Sequence, residues 1–444
     1  MTSIAPAIAD VGRVQQMAVT LTRQLIALDT SNIPGNTEQA AAALIADRLA
    51  AAGGNPQVLA GKPGRDNVVL RIPGRLPGPG LVVHAHLDTV PADPARWTVD
   101  PWAGEIRDGC IWGLGAVDMK SSAAMMAAVA QEWLVTGVRP RHDVVLAFLA
   151  DEETGGTWGA RWLTERRPDL FDGCDTAIGE VGGFAVPLRS GRTMYPVMTA
   201  ERGHAVVELV ATGNGGHSGA TAGSASRAEG DPLTTLAAVV ATIGTHEFER
   251  FTTTAAAEFV AALAAEFGLP PGMSPTAVRA MIGPLTRLIE GGERGSAVPT
   301  LFAAGHAPNV TATRASATVD CRFVPGHADE FLDEIRQLVP GDVQLTITVL
   351  SPGFDRGLVG RTVPAMAAAL RRADRGAMTV PYGVAASTDG PAFAALGLQP
   401  FGFTPLALPA GFPYGRLFHG VDERVPVAAV EFGVAVLADF LATV

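Results

Sequence analysis

Aromatic residues are scarce in this 444-residue chain, at 6%, and there are only three cysteines, Cys110, Cys174 and Cys321. The cysteines are odd in number and far apart, with no CxxC spacing, so no disulfide framework is expected. They read as reduced cytosolic thiols, mostly in the core. No uninterrupted apolar run reaches the roughly 20 residues of a membrane span, so no membrane partner is expected. Met1 to Asp10 lacks a basic stretch followed by an apolar one, so no signal peptide is expected and the chain is placed in the cytoplasm. Positive charge is also in deficit: 33 Lys and Arg against 44 Asp and Glu leave a formal net charge of -11. An acidic surface repels phosphate backbones, which argues against nucleic acid as a partner. There are no internal repeats, and Gly/Pro-rich stretches such as Pro73 to Gly80 read as turns rather than linkers.

What is present is a hydrophobic content of 48%, with cores that must be built from Ala, Val and Leu. The length is too great for one ordinary core, so two domains are expected. Helices are predicted over Val11–Leu28 and Thr37–Ala52, the second with capping-box spacing of Asn36 and Gln39 and a stop at Gly53-Gly54. Strands follow at Asn67–Ile72 and Gly80–His84, then a helix at Ser121–Val135. Asp143–Ala150 is a continuous apolar strand suited to the centre of a parallel sheet, and Asp175–Gly179 is another. Strands alternating with helices predict a wound α/β sheet, with ligands at the carboxyl ends of its strands.

The pattern changes near Met198. A strand at Gly203–Thr212, a helix at Pro232–Ile243, a strand over Val310–Val324, a helix at His327–Leu338 and a strand at Val343–Val349 predict a smaller α+β open-faced sandwich. Along Val310–Val324, Thr311, Thr313, Ala315, Ala317, Val319, Cys321 and Phe323 are predicted to share one face. Phe248–Gly292 reads as helical, broken at Pro270-Pro271. From about Gly357 the wound pattern resumes, with a helix at Val363–Arg372, a strand at Gln399–Phe403 and a helix at Pro426–Leu441. The predicted organisation is therefore one domain inserted into another: a first part over 1–198, an insert over 199–355 with a helical insertion at about 248–292, and a second part over 356–444.

Acids and imidazoles fall where apolar runs give way to polar turns. His86 and Asp88, two apart on an extended chain, point to one side, and a carboxylate beside a ligating imidazole fixes its tautomer. His84 reads as structural. Asp118 follows a Gly-rich turn; alone it is as well explained as a helix cap, yet a carboxylate there can also bridge two cations. Glu152-Glu153 ends a buried strand, where two acids are costly unless compensated. Neighbours on a strand diverge, so one can ligate while the other faces water as a general base. Glu180 ends a further strand, and His419 precedes the last helix. Together these form a ligand set that zinc accepts in hydrolytic sites.

The stretches HAHLDTVP, GLGAVDMK, ADEETGG, IGEVGG, GHSG, NVTATRASATVDCRF and FHGVDERVP resemble, in order, the signatures of the aminoacylase and carboxypeptidase S superfamily of dizinc metallopeptidases. That superfamily includes acetylornithine deacetylase, succinyl-diaminopimelate desuccinylase and glutamate carboxypeptidase, and IGEVGGF with the FHGVDERVP ending looks most like the carboxypeptidase S branch. The resemblance implies a wound catalytic domain with an inserted lid of dimerisation type. It implies that His86, Asp118 and Glu180 hold one zinc and Asp118, Glu153 and His419 a second, with cobalt or manganese as substitutes. It further implies Glu152 as general base and later acid, Asp88 as the orienter of His86, and His217 as a lid histidine that reaches a partner subunit's site in a homodimer. Asn309 and Arg322 match substrate-binding positions, Arg322 as a bidentate carboxylate clamp.

Three departures loosen the inference about substrate and lid contacts: Leu114 where many relatives carry Arg, Gly219-Ala220-Thr221 after the lid His-Ser, and Thr311-Ala312 after Asn309-Val310. The expected function is hydrolysis of the amide bond of an N-acyl amino acid or short peptide bearing a free carboxylate, of carboxypeptidase or aminoacylase form. The alternatives are an amide-forming or acyl-transfer enzyme using the same site, and a non-catalytic binding protein on the same fold.

Overall fold

The computed structural model describes residues 8–220 and 231–444; of the departures above, Thr221 lies outside them. The chain divides into two compact units. The first comprises Met1–Thr199, Leu358–Pro381 and Thr388–Val444; the second comprises Ala200–Gly357 together with Tyr382–Ser387. The return of Tyr382–Ser387 to the second unit had no counterpart in the sequence pattern.

The first unit is built on a mixed sheet. Its strands run in the order Gln57–Lys62, Arg65–Ile72, Val144–Leu149, Gly80–His86, Cys174–Gly179, Gln399–Gly402 and Thr193–Glu201. The four from Val144–Leu149 to Gln399–Gly402 are parallel, and the flanking pairings are antiparallel. Both Gly80–His86 and Val144–Leu149 are buried at every residue, as a sheet covered on both faces requires. On one face Val82, Val145, Ala147 and Leu149 pack with Leu163, Phe171 and Phe393. Helices Val11–Ile26, Lys120–Thr136 and Val427–Thr443 pack against one another. Lys120–Thr136 is buried from Lys120 through Trp133, which explains its Ala- and Met-rich sequence.

Two local expectations fail here. The helix at Gln39–Ala51 is preceded by Glu38, with no side-chain cap. Asn36 instead turns its amide toward Ser31 Oγ at 3.4 Å, so the Asn36–Gln39 capping box does not form. Glu152 and Glu153 do not lie on a strand. They occupy a short 3₁₀ turn, Glu152–Thr154, entered through Asp151 at φ 67°, so their divergence comes from a turn rather than from strand alternation.

The second unit carries a four-stranded antiparallel sheet in the order Ser296–Ala304, Arg314–Phe323, Gly203–Thr212, Val343–Ser351. Helices Pro232–Thr245 and Ala328–Leu338 contribute Leu236, Val239, Ile243, Phe331, Leu332 and Ile335 to the core on one face. Ala315, Ala317, Val319, Cys321 and Phe323 point into that core. The predicted common face stops there, because Val310–Thr311 is a separate short strand and Thr313 is exposed. The region predicted as broken-helical holds helices Thr254–Glu266 and Pro275–Ile282, on either side of Pro270-Pro271.

Candidate dinuclear metal centre

Parallel strands end on the same edge of their sheet, so the first unit gathers its polar strand-end residues there. His86 is the last residue of Gly80–His86, and Glu180 directly follows Cys174–Gly179. Glu152 and Glu153 follow Val144–Leu149 by way of Ala150 and Asp151. Asp118 arrives on the Gly113–Asp118 loop just before the helix that starts at Lys120. His419 lies in a loop before Arg424–Pro426, at φ 54°.

These groups converge around Asp118. Its Oδ1 lies 3.0 Å from His86 Nε2, and its Oδ2 lies 3.3 Å from His419 Nε2. Glu180 Oε2 is 3.7 Å from His86 Nε2, and Glu153 Oε2 is 2.9 Å from His419 Nε2. His86, Asp118 and Glu180 form one group of donor atoms within 4.8 Å of one another; Asp118, Glu153 and His419 form a second, and His86, Glu152 and Glu153 a third. His84 stays apart: it stacks on Phe393 at 4.6 Å, and burial lowers its pKa to about 3, so it is neutral.

The protonation equilibria here are pulled in opposite directions. Burial raises the Glu180 carboxyl to about 8, with the Asp118 charge adding to it. Burial likewise lifts Glu152 well above the usual range, with Glu180 next in weight. His86 is raised because Asp118 and Glu180 outweigh the burial that opposes its charge. His419 is raised to about 10 by its hydrogen bonds to Asp118 and Glu153. Buried carboxylates packed at these distances need positive charge among them. Oxygen and imidazole donors, with one carboxylate facing two imidazoles, fit a pair of divalent cations such as zinc.

The backing of the centre includes Asp88 and, beside it, residues that had not been singled out. Asp88, fully buried, accepts from the amides of Glu152 at 3.1 Å and Glu153 at 3.0 Å, and from Asn32 Nδ2 at 2.6 Å. Its Oδ1 is 3.6 Å from His86 Nδ1. Glu423 accepts from the amides of Gly115, Val117 and Asp118 at 2.9, 2.6 and 3.0 Å, so it ties the His419 loop to the Asp118 loop. Glu423 sits within FHGVDERVP, one of the stretches that carry the family resemblance, and that was the signal available for it. Buried Lys120 donates to Leu28 O at 2.8 Å. Asp389 is buried, with Oδ2 unpartnered among the described residues, and nothing in its local sequence marked it.

His217, Asn309 and Arg322 belong to the second unit. Exposed His217 pairs with Val310 in a two-residue ladder, and Ser218 N donates to Asn309 O at 3.0 Å, so His217 and Asn309 are neighbours. Arg322 lies toward the far end of Arg314–Phe323, about 26 Å along the strand from Arg314. The unit therefore does not bring His217 and Arg322 together. Arg322 Nε is 3.2 Å from Asp320 Oδ2, its Nη1 donates to Ser387 Oγ, and Asp320 Oδ1 is 2.6 Å from His204 Nε2.

A family model described as peptidase family M20/M25/M40 matches residues 82–443. The chain is 39% identical over 144 residues to succinyl-diaminopimelate desuccinylase 2 of Ruegeria sp. (strain TM1040), covering 31% of this chain and 33% of that protein. It is 25% identical over 367 residues to an N-fatty-acyl-amino acid synthase/hydrolase of Xenopus tropicalis, covering 78% of this chain and 69% of that one. The match thus spans about a third of the desuccinylase's length. Among solved structures, an M20 family metallo-carboxypeptidase from Sulfolobus solfataricus shares the fold, with a TM-score of 0.71 at 16% identity over 96% of this chain and 98% of that one.

Proposed function

The chain belongs to peptidase family M20/M25/M40, which makes it a metal-dependent hydrolase by class, and on that premise we propose that it cleaves the amide bond of an N-acyl amino acid or short peptide bearing a free carboxylate. The observation that carries the reading is the placement of Asp118, with one oxygen toward His86 and the other toward His419. His86, Asp118 and Glu180 would hold one zinc, and Asp118, Glu153 and His419 the other. Such a pair of cations polarises a scissile carbonyl and lowers the pKa of water.

The chain's own groups do the rest. Glu152 takes the proton of the attacking water and returns it to the leaving amine. Asp88 holds His86 in one tautomer through its main-chain carbonyl, which accepts from Nδ1, and its carboxylate fixes the turn that carries Glu152. Arg322 receives the substrate carboxylate, and Asn309 contacts the substrate. His217 stabilises the developing oxyanion from a partner copy, in a homodimer formed through the second unit. The setting is cytoplasmic; no helix among the described residues is long and apolar enough to cross a membrane.

A second reading, amide formation by the same site, draws support from the match to a relative named for both synthesis and hydrolysis. Product analysis with and without an amine acceptor separates the two. The test of the mechanism is Glu152→Gln. It keeps two metals per chain by elemental analysis, yet loses about 10²–10⁴-fold in kcat, the usual contribution of a general base. Undiminished turnover in that variant would remove Glu152 from its role.

A further inference from the structure

Asn32 sits outside the ligand set, but its backbone is tied to the segment that carries Asp88. Thr30 Oγ1 donates to Leu87 O at 2.7 Å, and Asn32 N donates to Thr89 O at 2.9 Å. A bridge between Ser31 and Thr89 completes the pairing. This brings Asn32 Nδ2 to 2.6 Å from Asp88 Oδ2. On its other side, Asn32 Oδ1 accepts from Arg65 Nη1 at 2.7 Å, and the same Nη1 is ion-paired with Glu38, whose side chain is fully buried.

The chemistry of these partners fixes how the amide faces. A guanidinium only donates, so Arg65 must meet the carbonyl oxygen of Asn32. The NH₂ group is then left for Asp88, which as a carboxylate only accepts. Asp88 is the joint between two parts of the centre. Its carboxylate oxygens accept from the amides of Glu152 and Glu153, and its main-chain carbonyl lies 3.0 Å from His86 Nδ1. Among the described residues, Asn32 is the one side chain that donates a hydrogen bond to this carboxylate.

We propose that Asn32 is a positioning residue for the metal centre: with Arg65 and Glu38 setting its amide, it locks the Asp88 carboxylate in the one orientation that holds the Glu152-Glu153 turn, on the residue whose main-chain carbonyl bonds the His86 ring. The inference rests on the dinuclear reading above. A loosened Asp88 leaves the substrate clamp alone but misplaces a ligand and the base together. Removal of an outer hydrogen-bond partner of this kind costs 10–100-fold in metal affinity or activity.

The experiment compares wild type with Asn32→Ala, Asn32→Asp, Arg65→Met and Arg65→Lys. It measures zinc affinity by equilibrium dialysis, kcat and KM on an acyl-amino acid, and urea unfolding. Asn32→Ala is expected to lose about 10–100-fold in zinc affinity or in kcat, with KM little changed. Asn32→Asp, which sets a second carboxylate against Asp88, loses at least as much. Arg65→Lys, which keeps a donor for Oδ1, loses less than Arg65→Met. Wild-type zinc affinity and kcat in folded Asn32→Ala overturn the proposal, as does a change confined to the urea midpoint. Parallel His86→Ala and Glu152→Gln variants keep the two failures apart. If those two keep full turnover, the dinuclear reading falls and the positioning role with it. If they lose turnover while Asn32→Ala does not, only the positioning role falls.

Discussion

Asp320 shows how one acid can serve several neighbours in the second unit. It bonds the His204 ring at 2.6 Å and the Arg322 Nε at 3.2 Å. The His204 bond, with Arg322 next among the groups that favour the charge, holds its carboxyl below the ordinary carboxylate range. A carboxyl depressed in the folded state adds stability above its unfolded pKa and loses it as pH falls through the folded one. Asp320→Asn has no such charge to lose. Wild type is therefore expected to be more stable than Asp320→Asn at pH 7, with the gap closing below about pH 4, near the unfolded carboxylate value. Urea midpoints at pH 7 and pH 3 check this, and a gap independent of pH would remove the bond as its source. Residues of this kind were the least legible in the sequence. Glu423, Asn32 and Asp389 sit in loops without periodicity, and what they do is decided by partners distant in the chain. Of the proposed ligands, His86, Glu153 and Glu180 were marked by the apolar runs they follow, whereas Asp118, after a Gly-rich turn, and His419, in a loop, were marked by their motifs.

Elements were legible in proportion to how completely they are buried. Asp143–Ala150 was marked by its unbroken apolar run, and the strand observed is Val144–Leu149, buried at every residue. Ser296–Ala304 escaped for the converse reason. It is an edge strand with Val298, Leu301 and Phe302 exposed, Pro299 within it, and a register shift between Pro299 and Leu301. Proline and irregular pairing are tolerated at a sheet edge, and both erase the alternation from which a strand is read. Ala377–Val384 carries Pro381 and was missed in the same way. Burial also sets what an element stands to lose. Leu146 is 1% exposed, in the strand where the parallel and antiparallel pairings of the sheet meet. Leu146→Ala is expected to cost about 2–5 kcal/mol, as other large-to-small core changes do. The urea midpoint should fall with the slope unchanged; a cost under about 1 kcal/mol would mean that the site collapses around the smaller side chain.

At the scale of the whole molecule, the centre joins parts of the chain that lie far apart in sequence, from His86 to His419. Cations bound there act on the folded state alone, so each site stabilises by about 2.7 kcal/mol when the free metal stands at 100 times its Kd. Removal by a chelator is expected to abolish turnover and lower the thermal midpoint, and zinc added back restores both. The protons give a second readout with a definite sign. Without metal, His419 is raised to about 10 and His86 lies above its ordinary value, so both rings are protonated near neutral pH. Ligation requires neutral imidazoles and ionised carboxylates. Metal uptake at pH 7 must therefore release protons, and the apparent affinity must rise as pH rises toward 8. Zinc added to metal-free protein in weakly buffered solution should acidify it, in step with occupancy and up to two ions per chain. Uptake with no acid released would mean that the cations bind elsewhere, away from these imidazoles.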